Sequence, residues 1–212
     1  KCKNAKGRCG RYPQARLSAL TDLLNRIVIE TKLVAWQQGE RSLAVEHLRA
    51  MAAGDLAVLD RGYASYELLA QFHAQGRWFV CRCPKSSFTE VNKLFREDEA
   101  RRSVLTQVGV HHEARAAIRE AGLPQKIPLR LVTVRLSTGE LEVLATNLLD
   151  EARYPTCEFG DLYRCRWNIE TYYGLIKGRL DLERFTGRTP EAIRQDVFAT
   201  IFLSNLESVL TR

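Results

Sequence analysis

Hydrophobic positions change period along the chain, and each change marks an element. Between Ala15 and Trp36 short apolar runs, densest in RIVIETKLVAW, predict two strands joined near Leu24 and Asn25. From Ser42 to Ala52, Leu43, Val45, Leu48 and Met51 take helical spacing, with Gly54 as the stop. The compact run LAVL at 56–59 predicts a buried strand that ends at Asp60. Ser65 can cap a helix running to about Gln75, which Gly76 closes. WFVCR at 78–82 is the next strand, ended by Pro84. Charged, helix-like stretches follow, then a hairpin of LRLVTVRL against ELEVLATNLL, turned by Ser137, Thr138 and Gly139. A long helix is predicted from Phe159 to about Leu182, and Thr189-Pro190-Glu191 opens another that runs nearly to the end.

The order of these elements predicts an α/β core interrupted by an insert. The boundaries read as 1–84 for the first part of the core, 85–150 for the insertion and 151–212 for C-terminal helices that complete it. At 212 residues, 45% hydrophobic and 27% charged, the composition is that of an ordinary globular protein and excludes wholesale disorder. The net charge of +7 suits an anionic partner, and its excess is concentrated in residues 1–30. No apolar run reaches the ~18–20 residues of a membrane span, and no signal peptide opens the chain. Cys81 and Cys83 are expected on opposite faces of a strand, which makes a shared metal awkward. The four His have no zinc spacing. Structural or incidental thiols place the chain in the cytoplasm. A chain that opens on Lys1 and whose only Met is Met51 reads as a piece of a longer protein.

Two places could carry chemistry. Asp60 stands at the carboxyl end of a hydrophobic strand, where α/β sheets place ligands, although such an Asp also serves simply as a turn or cap residue. On the long helix, with Tyr163 at zero and about 100° per residue, Arg166, Glu170 and Lys177 fall near 300°, 340° and 320°. The four form one stripe about 60° wide and ~21 Å long beside the apolar arc of Leu162, Ile169 and Tyr173. An acid flanked by two bases and a phenol suits a groove for phosphates and a metal. Ion pairs on a solvated face would use the same spacing.

The spaced signature Tyr163-x2-Arg166-x3-Glu170-x6-Lys177 resembles that of the insertion-sequence-four group of bacterial DDE transposases. LAVLDRGY resembles the same group's motif around its second catalytic aspartate. RWFVCRCPKSSF, RLSTGELEVLATNLLD and RTPEAIRQDVFATIFLSNLE extend the likeness over nearly the whole chain. The resemblance implies a ribonuclease-H-like mixed sheet with flanking helices and a β-containing insertion before the glutamate helix. It implies three carboxylates holding two Mg2+ ions, with Mn2+ as a substitute. Carried onto this sequence, Asp60 is the second carboxylate and Glu170, 110 positions later, the third; both are catalytic and metal-binding. Tyr163, Arg166 and Lys177 would hold DNA phosphates. The reaction implied is cleavage and transfer of DNA strands at transposon ends, by a homodimer on double-stranded DNA in the bacterial nucleoid.

The family's first aspartate lies on an opening strand upstream of Tyr12, where this sequence holds no acid. The opening strand and the first carboxylate are therefore expected to be missing, and the chain alone inactive. That strand would lie between the second strand of the leading hairpin and the strand ending in Asp60. Two other readings stay open. One is a non-catalytic DNA-binding remnant; the other is a self-contained ribonuclease-H-like nuclease using Asp22, Glu30 or Asp55 as its third acid.

Overall fold

A computed structural model describes residues 2–3, 9–10, 15–178, 185–187 and 189–211, the side chains of 2–3, 9–10, 168 and 175–177 excepted. β1 (Cys2–Lys3) and β2 (Cys9–Gly10) form a short antiparallel pair. β3 (Ala15–Asp22) and β4 (Ile27–Ala35) form the expected hairpin. The Asp22 carboxylate accepts the N–H groups of Leu24 and Asn25 at 3.0 Å, which closes its turn. α1 (Glu40–His47), β5 (Leu56–Leu59) and α2 (Tyr66–Ala74) follow, with Ser65 Oγ capping α2 through Leu68 N–H. β6 (Trp78–Cys83), α3 (Thr89–Glu97), β7 (Ser103–Gly109), α4 (Arg115–Glu120), β8 (Lys126–Arg135) and β9 (Leu141–Thr146) come next. The chain continues through α5 (Phe159–Arg164), α6 (Trp167–Gly178) and α7 (Pro190–Leu210).

The main sheet is mixed, in the order β5-β6-β9-β8-β7. β5 and β6 run parallel; the remaining pairs are antiparallel. Because β9 pairs with β6, segment 85–150 contributes its three strands to the same sheet as β5 and β6.

The two-residue period of the strands divides the core. Phe79, Cys81, Cys83, Leu129, Leu131 and Val143 pack on one face, with α2, α3 and α4. Val80, Val132 and Leu144 pack on the other, against Phe159 and Tyr163 of α5. α5 comes down closely on β8: a Cβ on Gly160 would sit 3.3 Å from Val134 Cγ1. The hairpin has its own cluster, in which Val28 meets Val197 and Ile201 of α7 and both tyrosines of α6.

Three expectations need correction. The long helix is broken: Cys165 N–H bonds to Leu162 O and Arg166 N–H to Tyr163 O, so the chain tightens to i→i−3 bonds between α5 and α6. This break lets the Arg166 side chain, only 8% exposed, turn in over the rings of Tyr163 and Trp167. Helical phase therefore does not run unbroken from Tyr163 to Glu170. The expected end of that helix, near Leu182, lies outside the described residues. Second, Cys81 and Cys83 share one face, as residues two apart on a strand must, and both are buried in the larger cluster. Third, it is the first strand of the hairpin, not the second, that faces the strand ending in Asp60. Every residue of β3 from Ala15 to Asp22, but only Ile29, Leu33, Val34 and Ala35 of β4, lines one trough of about 1680 Å³ together with all of β5 and Asp60. Among the described residues β3 pairs only with β4 and β5 only with β6, so each turns a free edge toward this trough.

Candidate active site

Asp60 directly follows β5 and begins a tight turn, its carbonyl accepting Tyr63 N–H at 2.9 Å. Alternation along β5 puts its side chain on the α5 side of the sheet, after Leu56 and Val58. There Tyr163 Oη lies 3.4 Å from Asp60 Oδ1. Burial pushes the Tyr163 phenol above its usual titration range, so it stays a proton donor to the carboxylate.

Glu170 stands in the first turn of α6, half exposed, and accepts a bond from Arg166 Nη1 at 2.7 Å. Burial works against the Arg166 charge, but the Glu170 bond and the fields of Tyr163, Asp60 and Glu170 outweigh it and raise its pKa. Arg166 Nε is buried and has no hydrogen-bond partner among the described residues. A donor in that state can take an acceptor from water or from a bound ligand. Asp60, Tyr163, Arg166 and Glu170 thus form one connected cluster, and Asp60 and Arg166 both border the trough. Lys177 lies on α6, but its side chain is outside the described residues.

The other acids considered from sequence are engaged elsewhere. Asp22 closes the hairpin turn, Glu30 pairs with His47 and Lys32, and Asp55 accepts Ala52 N–H before β5 begins. Among the described residues no three metal-ligating side chains converge.

Sequence reasoning missed a further pair on this face. Arg82 Nη1 lies 4.0 Å from Asp60 Oδ1, and Arg82 Nε pairs closely with Glu142. Arg82 is in register with Leu144, so Glu142 is its diagonal neighbour across the β6–β9 pair. Burial raises the Glu142 pKa, and Arg82 opposes the shift. The sequence signal was a charge inside each of two otherwise apolar strands, WFVCRC and LEVLAT.

Oxygen donors on half-exposed carboxylates suit a hard divalent cation such as magnesium. That ion is commonly held by one or two carboxylates together with water and substrate phosphates. The cluster also presents Arg166 as a ready phosphate partner.

A family model described as "Transposase DDE domain" matches residues 1–206. The chain is 28% identical over 200 residues to the transposase InsG of insertion sequence element IS4 from Escherichia coli K12, covering 92% of this chain and 43% of that protein. It is 29% identical over 164 residues to the putative transposase y4zB of Sinorhizobium fredii, covering 77% of this chain and 44% of that protein. The chain spans under half the length of these curated relatives.

Proposed function

The chain belongs to the transposase DDE domain family, and from that membership we propose that it forms the catalytic core of an enzyme that cleaves and transfers DNA strands at transposon ends. The observation that carries this reading is the connected cluster at the end of β5: Asp60 reaches Tyr163, Tyr163 stacks with Arg166, and Arg166 bonds Glu170. Membership implies a ribonuclease-H-like fold, and a mixed sheet with helices on both faces is consistent with it. No described helix is long and apolar enough to cross a membrane.

In this reading Asp60 and Glu170 hold divalent ions. When bound, such ions supply a nucleophilic water or hydroxyl and offset charge on the leaving oxygen. Tyr163 donates to Asp60 and orients its carboxylate. Arg166, already paired with Glu170 and retaining an unused Nε donor, contacts the phosphate that approaches the acids. Lys177, about two turns beyond Glu170 on α6, would contact another. Phosphate contacts hold the duplex in place without reading its bases.

The trough takes the missing part. Its two sides are strand edges, and an extended segment between them would gain ladder bonds on both sides. We assign to it a strand from outside this sequence that brings the first carboxylate beside Asp60. Residues 1–84 and 151–212 then belong to one core, with 85–150 as an insertion that extends its sheet. Two copies would act together on the DNA.

The test is magnesium-dependent nicking of a duplex carrying the transposon end, by a protein that includes the upstream strand. Asp60→Asn and Glu170→Gln should each lower the rate at least a thousandfold while DNA affinity stays within about threefold, since chemistry is lost and phosphate contacts are kept. Nicking that survives either change would reject the assignment.

A further inference from the structure

We propose that Glu142 is a positioning residue: it fixes Arg82 beside Asp60 and offsets its charge, and so sets how strongly the site attracts a divalent cation. This rests on the reading above, in which Asp60 is a metal ligand. The geometry is specific. Glu142 is 6% exposed on β9, and a carboxylate buried so deeply persists charged only when paired. Its partner Arg82 uses Nε for that pair and turns Nη1 to Asp60 Oδ1, 4.0 Å away. Both side chains rise from strands hydrogen-bonded to one another, so the pair is held by the sheet and not by a loop. With Glu142 ionised, the trio Asp60–Arg82–Glu142 carries one net negative charge. Without it the trio is neutral, and the guanidinium is free to satisfy itself on Asp60.

The direct readout is Mn2+ binding to the full chain, measured from the electron paramagnetic resonance signal of free Mn2+, with thermal melting recorded alongside. Glu142→Gln keeps the shape and removes the charge; it should weaken Mn2+ binding about tenfold, the size expected when one nearby charge is lost at a partly solvated site. The double change Arg82→Met with Glu142→Leu removes both charges and leaves an apolar pair of similar volume. It should bind Mn2+ within about threefold of the unaltered protein, or more tightly. A merely structural salt bridge would instead give variants whose Mn2+ affinity is unchanged while only their melting temperatures move.

Asp60→Asn separates the two levels of the argument. If it leaves Mn2+ binding intact, the assignment of Asp60 as a ligand fails. If it abolishes binding while Glu142→Gln leaves affinity unaltered, only the role of Glu142 is overturned. Should Glu142→Gln fail to fold, Glu142→Leu compared with the double variant carries the test: it keeps the Arg82 charge and should bind Mn2+ about tenfold more weakly than the double variant, and equal affinities would overturn the proposal.

Discussion

Arg166 joins the two ends of the cluster with a single side chain. Its guanidinium lies 4.8 Å over the Trp167 ring and 5.7 Å over the Tyr163 ring, and bonds Glu170. Two ring contacts hold it in place, and its Nε has no partner among the described residues, a state suited to meeting a phosphate. Arg166→Ala should weaken DNA binding about equally for all sequences and flatten the plot of log affinity against log salt by about one unit. Relaxed preference at one base pair, with the slope unchanged, would contradict a phosphate role. Lysine at the same position should rescue little, because its point charge cannot stack or bond in a fork.

At the scale of elements, two buried polar clusters hold the site's supports. Arg130 of β8 is fully buried; it bonds Tyr154 O at 2.6 Å, Thr156 Oγ1 and Ser103 Oγ at 2.8 Å, and lies over Phe159. It thereby ties the segment leading into α5 to the sheet. Arg130→Met should cost about 2–4 kcal/mol, from several lost bonds whose partners are only partly open to water, with nicking reduced as α5 loosens; a melting temperature unchanged within a degree would refute this. The second cluster pins the hairpin to α1: His47 Nδ1 lies 2.5 Å from Glu30 Oε2, and its Nε2 lies 3.0 Å from Ser18 Oγ. Burial pushes the Glu30 pKa up, but bonds from His47 and Lys32 outweigh it and hold the carboxyl below its usual value. A depressed carboxylate stabilises the fold above its unfolded pKa, and that contribution is lost as pH falls through the folded value. Melting should therefore fall more steeply below about pH 4.5 in the unaltered protein than in Glu30→Gln; equal slopes would remove Glu30 from the account. Much of this scale was legible in sequence, because the apolar periods of 15–36, 56–59 and 126–146 are strong and the turns carry their own chemistry. What escaped were effects of tertiary packing. The break after Arg164 has no Gly or Pro to announce it, and shows only in the tightened backbone bonds that accompany the inward turn of the Arg166 guanidinium. Glu142 and Arg82 lie 60 positions apart in sequence and meet only through the pairing of β6 with β9.

At the scale of the molecule, the trough decides what the chain can do. Free strand edges beside apolar surface invite pairing with other chains, so addition of a matching strand should raise the melting temperature and suppress aggregation. The strand would enter between β3 and β5, where Asp60 borders the trough, so one segment would serve both the sheet and the proposed metal site. The central claim is that Asp60 and Glu170 are two of three carboxylates in a site completed by that strand. The most direct measurement is magnesium-dependent nicking of transposon-end DNA by residues 1–212, alone and with the upstream acid-bearing segment supplied as a fusion or a separate polypeptide. The account predicts no nicking by the chain alone. With the segment, nicking should appear and then vanish when its acid, Asp60 or Glu170 is replaced by the corresponding amide. Robust nicking by residues 1–212 alone, abolished by Asp60→Ala, would contradict it and place the third ligand within this chain.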